Sequence, residues 1–150
     1  MAMQANKIDF RFDIGADVNE ITADLDRLLQ ILLNLLANAM HHVSHAGQVT
    51  LSIHHYPNYL QFVVVDNGPG IAPQDLSHIF ERFYRIDDSR NRREGGMGLG
   101  LAIALAYTEA HQGKMWVEST LGNGTIFYFT LPQKKQPPIL LVSNYLQKKT

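Results

Sequence analysis

Hydrophobic residues change their period several times along the chain, and each change predicts an element. From Ile8 to Ile14 apolar and polar residues alternate strictly, the period-two pattern of a half-buried strand. From Asp24 onward Leu25, Leu28, Leu29, Leu32, Leu33, Leu36, Ala39, Met40 and Val43 share one helical face. That spacing predicts a long amphipathic helix to about Ser44, with Gly47 as a stop. Two strands follow, near Gln48–Tyr56 and Leu60–Asp66, joined at the turn pair Pro57-Asn58. The second is apolar and β-branched enough for a central strand. Asp66-Asn67-Gly68-Pro69-Gly70 then breaks the pattern, and Pro73 suits the first turn of a short helix ending near Phe80. Glu81 to Gly95 is polar and aperiodic, so it reads as a loop. A helix resumes near Met97 and runs to about His111, and strands at Met115–Ser119 and Thr125–Leu131 flank a Gly-Asn-Gly turn.

This order predicts an α/β domain with helices on one face of a mixed sheet. Residues 1–132 form the domain and 133–150 a linker and tail. Lys134-Lys135-Gln136-Pro137-Pro138 has linker chemistry, and apolar Ile139–Val142 is read as a tail strand or the start of a further segment. The 150 residues suit one core without staples, and the absence of Cys excludes disulfides and thiolate metal sites. A net charge of -1 gives no global field for nucleic acid, so none is expected as a partner. No apolar run approaches the roughly 20 residues of a membrane helix, and the start lacks signal-peptide features. A cytoplasmic, monomeric domain is the expectation, with any membrane anchor of a longer parent left open.

Averages conceal two clusters. Eight of the 11 Gly lie at 68 and 70, at 95, 96, 98 and 100, and at 122 and 124, while five of seven Arg fall between Arg82 and Arg93. In Asp66-x-Gly68-x-Gly70 a carboxylate leaves the end of an apolar strand, where it can accept from an exocyclic amine. The glycines beyond it let a flat ring approach the backbone. Gly96-x-Gly98-x-Gly100 stands directly before a helix, whose N-terminal amides can receive an anion. A charged loop rather than a strand precedes it, so it is not the dinucleotide fingerprint. Asn34 and Asn38, four residues apart, project from one helical stripe flanked by Gln30, His41, His42 and His45. A neutral Asn oxygen suits one octahedral site of Mg2+ whose other sites hold phosphate and water. Taken singly, each motif has an ordinary alternative: exposed Asn residues, a β-turn, a hairpin turn.

Together and in order they resemble the catalytic ATP-binding domain of sensor histidine kinases, in the superfamily that also holds gyrase B, Hsp90 and MutL. The matching boxes are Asn34–Ala39, Asp66–Ile71, Phe80–Arg85, Gly96–Leu101 and Gly122–Thr125. His111-Gln112-Gly113 and Trp116–Ser119 between them are also typical, and the resemblance covers about Lys7 to Leu131. It implies a two-layer α+β sandwich, the Bergerat fold, with a mixed, mostly antiparallel five-stranded sheet and three helices on one face. It also implies ATP and Mg2+ as cofactors. Asp66 would bind the adenine amino group, Asn38 would ligate Mg2+, and Asn34 would line the phosphate side. Gly96, Gly98 and Gly100, with Met97, Leu99 and Leu101, would meet the phosphates, and Arg85 beside Tyr84 would lean toward the terminal phosphate. Gly68, Gly70 and Ile71 would shape the adenine turn, and Thr125 would support it through water. Glu81 to Gly95 would be the ATP lid, its arginines largely offset by Asp87, Asp88 and Glu94.

Hydrolytic relatives usually carry Glu where Asn34 stands, and Asn cannot act as a general base. Phosphotransfer to a neutral imidazole needs no such base, so transfer is favoured over hydrolysis. His41 replaces the usual basic residue, with His42 beside it, which predicts weaker or pH-sensitive phosphate contact. His41 and His45 have metal-ligand spacing but no apparent third ligand, so zinc is not expected. No His is followed by Asp or Glu, so the phosphoacceptor motif is absent. The acceptor would lie on a separate dimerisation domain of the same kinase, with a response regulator downstream. Two other readings share the boxes: an anti-sigma-type serine kinase, and a catalytically weak nucleotide-sensing or docking module.

Overall fold

A computed structural model of the chain describes residues 7–43, 46–86 and 98–133. Its strands are β1 (Asp9–Ile14), β2 (Gln48–Tyr56), β3 (Tyr59–Asp66), β4 (Met115–Ser119) and β5 (Thr125–Pro132). Its helices are α1 (Leu25–His42), α2 (Pro73–Leu76) and α3 (Gly100–Ala110). The sheet order is β1-β2-β3-β5-β4, with β1 parallel to β2 and every other pairing antiparallel. The expected mixed, mostly antiparallel five-stranded sheet is therefore present.

Asp24 caps α1, its side chain accepting from the Arg27 N–H at 3.3 Å. Leu28, Ile31, Leu35 and Ala39 form the buried stripe of the helix, which packs on β3 and β2. Against it stand Val49, Leu51 and Ile53 of β2, Leu60, Phe62 and Val64 of β3, and Phe127, Phe129 and Leu131 of β5. Phe62 and Phe129 stack at 4.4 Å between centroids, so the register of β3 on β5 is fixed at the centre of the core. Helix α3 packs on α1 through small residues: Ala104 and Thr108 are buried, and the Thr108 hydroxyl donates to the Ala104 carbonyl. Arg27 ties the two helices further, with its guanidinium 4.5 Å from the Tyr107 ring centroid and donating to the Tyr107 hydroxyl.

Three expectations change. The alternation of β1 does not give a half-buried strand, because all six residues are exposed, Phe12 by 64%. Register places Phe10, Phe12 and Ile14 beside the core residues Val49, Leu51 and Ile53, but β1 is the sheet's edge strand. The buried face of α1 is also rotated from the expected one: Ile31 and Leu35, absent from the expected stripe, are fully buried, while Leu25, Leu29, Leu33 and Met40 are exposed. Finally, the helix after Pro73 stops at Leu76 and continues as turns towards Phe80. Of the expected lid, Glu81 to Gly95, residues 87–95 lie outside the described residues, as does the tail from 134.

Candidate functional site

Asp66 closes β3 on the core-facing side of the sheet and is 2% exposed. Its alternation with Phe62 and Val64 points it inward, and the end of the strand brings it to the rim of the core. Its Oδ1 accepts the Gly68 N–H at 2.9 Å, and its Oδ2 lies 3.8 Å from His42 Nδ1 at the end of α1. That Nδ1 is buried without a hydrogen-bond partner. Register aligns Val49, Asp66, Thr125 and Ser119 across four strands, so this rim is one row of the sheet.

Two glycine turns interlock over that row. The Gly122 N–H donates to the Pro69 carbonyl at 2.7 Å, and Ser119 Oγ accepts from the Ile71 N–H at 2.8 Å. Gly70 has φ +80, and a Cβ there would sit 2.2 Å from the Thr120 carbonyl oxygen. Ile71 itself is buried in the core, which anchors the far side of the turn.

The other wall is α1. Gln30 donates to Asn34 Oδ1 at 2.8 Å, and Asn34 Nδ2 donates to the Gly100 carbonyl at 2.9 Å. Both ends of the Asn34 amide are therefore used, Oδ1 within α1 and Nδ2 in joining α1 to the first residue of α3. Asn38, one turn later, differs: its Nδ2 is buried with no partner. The N-terminus of α3 has no side-chain cap, and Leu99, at the N-cap position, and Leu101 are half-buried beside it. Its first-turn amides are thus the open donors of this wall.

The second glycine cluster meets the Phe80–Arg85 segment. Phe83 N–H donates to the Gly98 carbonyl at 2.9 Å, and both residues have positive φ, +66 and +72. Tyr84 donates to Asp75 Oδ1 and stacks on His78, so the segment is held to α2 and the turn after it. That hydrogen bond, with a smaller effect of desolvation, raises the Tyr84 phenol above its usual 10. Arg85 is half-buried at the end of this segment.

The structure thus brings Asp66, Gly68, Gly70, Ile71, His42 and Thr125 to one end. It sets Asn34, Gly100, Leu99 and Leu101 where α1 meets α3. Asn38 lies one turn along α1, His41 is exposed in the helix's last turn, and Gly98 meets Phe83 and Tyr84, next to Arg85 in the chain. Gly96 and Met97 lie outside the described residues. The sequence singled out neither Asp75 nor Ser119 as site-forming. Ser119 was signalled only by closing β4 opposite Thr125, and Asp75 by standing in the first turn of α2.

A two-layer sandwich with an acidic strand end, interlocked glycine turns and an amide-bearing helix defines a nucleotide-binding ATPase or kinase domain. The family described as histidine kinase-, DNA gyrase B-, and HSP90-like ATPase matches residues 23–135, and the chain belongs to it. Sensor histidine kinase WalK of Bacillus subtilis is 42% identical over 118 residues, covering 77% of this chain and 19% of WalK. Full-length ShkA, solved in complex with AMPPNP, aligns with a TM-score of 0.75 at 34% identity, over 89% of this chain and 27% of ShkA. Histidine kinase ThkA, solved with the response regulator protein TrrA, aligns with a TM-score of 0.68 at 28% identity, over 85% of this chain and 34% of that one. The chain therefore has the fold and boxes of a sensor-kinase catalytic domain and spans about a fifth of WalK's length. Among the described residues no helix is long and apolar enough to cross a membrane.

Proposed function

We propose that the chain binds Mg-ATP and donates its γ-phosphoryl group to a His on a separate dimerisation domain of the same kinase, for relay to a response regulator. The observation that carries this is Asp66: a carboxylate 2% exposed, held by one glycine amide, at the rim of the core. Buried carboxylates need donors, and an exocyclic amine supplies them. Guanine offers a carbonyl at that position and would set oxygen against oxygen.

The donor set suits a hydrated magnesium ion that arrives with the nucleotide. No group of three or more His, Asp or Glu residues is placed to hold a metal among the described residues, so a protein-only cage is not built. In the neutral Asn38 amide the side-chain oxygen is the atom that suits Mg2+, while the buried, unpartnered Nδ2 is a donor that a phosphate oxygen would satisfy. Bound there, the ion would neutralise phosphate charge as the γ-phosphoryl group departs. The chain's own work is positioning. Asn34 holds the uncapped N-terminus of α3 against α1, and that terminus aims its amides at the phosphates. Arg85 and Gly98 would contact the phosphates from the Phe80–Arg85 segment, and Gly96 and Met97, outside the described residues, would do so by resemblance. An attacking imidazole needs no base from this domain, in keeping with Asn at position 34.

Names of the relatives favour a histidine acceptor over a serine one. The test pairs the chain with a His-bearing dimerisation domain and γ-labelled ATP. Acid-labile phosphohistidine on that domain is expected. Acid-stable phosphoserine on a partner would replace the histidine reading, and intact ATP binding without transfer to either would make the chain a docking module. Asp66→Asn should weaken ATP binding at least tenfold, read by calorimetry, and a parent-like affinity would remove the adenine assignment.

A further inference from the structure

We infer that Ser119, acting through Thr125, makes the base end of the site selective for an amine. It does so by consuming the Thr125 hydroxyl proton. This rests on the nucleotide reading above and deepens it.

The argument is an inventory of protons. A serine hydroxyl has one hydrogen to donate and two lone pairs to accept with. Ser119 Oγ accepts the Ile71 N–H at 2.8 Å and donates its only hydrogen to the Gly124 carbonyl at 2.8 Å. It also lies 2.9 Å from Thr125 Oγ1, a contact in which either hydroxyl could donate by distance alone. With the Ser119 hydrogen committed to Gly124, Thr125 is the donor of that pair. Ser119 is then saturated, and Thr125 keeps only lone pairs.

Its neighbour makes this matter. Thr125 and Asp66 are cross-strand partners in the β3–β5 register, and they are 1% and 2% exposed. Asp66, ionised, accepts only, and one of its oxygens already takes the Gly68 amide. The two buried polar side chains of this row therefore both accept, and neither donates. An amine, directly or through a bridging water, satisfies them, whereas a carbonyl meets lone pairs on lone pairs. Buried groups left unpaired in this way are what give polar sites strong discrimination. Remove the Ser119 hydroxyl and the Thr125 hydrogen becomes free to turn toward a carbonyl. Ser119 is thus a positioning residue, and its effect should appear as selectivity rather than as loss of binding in general.

The experiment measures binding of Mg-ATP and Mg-ITP, whose base carries oxygen in place of the 6-amino group, by calorimetry on the whole chain. For Ser119→Ala the ATP dissociation constant should rise about 3–10-fold, with ITP unchanged or tighter and the number of binding sites unaltered. The ATP-over-ITP preference then falls, while Ser119→Thr, which keeps the hydroxyl, retains it. Equal weakening of both nucleotides, or an unchanged preference, would overturn the inference. Should Ser119→Ala fail to fold, Thr125→Val asks the same question by deleting the acceptor, and full retention of the preference there would also overturn it. Asp66→Asn separates the two layers. Parent-like ATP binding in that variant sinks the nucleotide reading itself. Loss there with an intact preference in Ser119→Ala sinks only the role of Ser119.

Discussion

Gly124 and Gly122 stand two residues apart with φ of +79 and +87, yet they are not equivalent. A Cβ at Gly124 would lie 2.1 Å from the Asp66 carbonyl oxygen, whereas one at Gly122 would meet nothing within 4 Å. Alanine at either position carries the left-handed backbone cost of about 1–2 kcal/mol. Only at Gly124 must the backbone of β3 move as well, and the part that moves belongs to Asp66. Gly124→Ala should therefore destabilise the chain by about 2 kcal/mol or more and weaken ATP binding, while Gly122→Ala loses stability with affinity intact. Denaturant melts and calorimetry on both variants check the contrast. The spacing of the glycines and the acidic strand end were legible in the sequence, because both recur as a local pattern. Which glycine faces backbone and which faces solvent was not, since that depends on a strand 58 positions earlier in the chain (Asp66 against Gly124). The hydroxyl network of Ser119 was hidden for the same reason: its partners, Ile71, Gly124 and Thr125, are brought together only by pairing of the strands and turns.

At the scale of elements, α1 shows what periodicity can and cannot decide. Its apolar residues cover more of the circumference than the sheet can cover, so the pattern located the helix but not its buried stripe. Ile31, Leu35 and Ala39 are at most 1% exposed, whereas Leu33, midway between Ile31 and Leu35 and so on the opposite face, is 59% exposed. Leu35→Ala should cost about 2–5 kcal/mol by deleting packed volume. Leu33→Ala, at the surface, should stay within about 0.5 kcal/mol. Two thermal melts distinguish them. The Phe80–Arg85 segment offers a prediction in pH. Tyr84 is raised above its usual 10 chiefly by donating to Asp75. A group that holds its proton more tightly when folded stabilises fully below the unfolded value. That contribution disappears as pH rises through the folded value, above 10. Ultraviolet titration of the parent against Tyr84→Phe, which also removes overlap with the raised Tyr128, should show the Tyr84 phenol ionising above 10. Asp75→Asn should bring it downward by removing the negative charge.

For the whole molecule, the two-layer class followed from element order, and five strands were placed to within a residue or two. The lateral arrangement was not readable, because alternation reports which residues share a face and says nothing of where a strand lies in its sheet. That is why β1, alternating as strictly as any strand in the chain, turned out to be an edge with Phe10, Phe12 and Ile14 uncovered. An edge strand presents unpaired backbone groups, and apolar side chains beside them favour edge-to-edge association. Native edges are commonly blunted by charge, and here Asp9, Arg11 and Asp13 alternate with the apolar residues rather than replacing them. Phe12 is 64% exposed, so lysine there removes little buried area and should leave stability within about 0.5 kcal/mol of the parent. The same change places a charge in the middle of the free edge. Phe12→Lys should therefore reduce concentration-dependent light scattering while the melting temperature and ATP affinity stay put. A fall in melting temperature comparable to that of Leu35→Ala would mean instead that β1 is part of the core, and unchanged scattering would mean that the edge is not where the molecules meet.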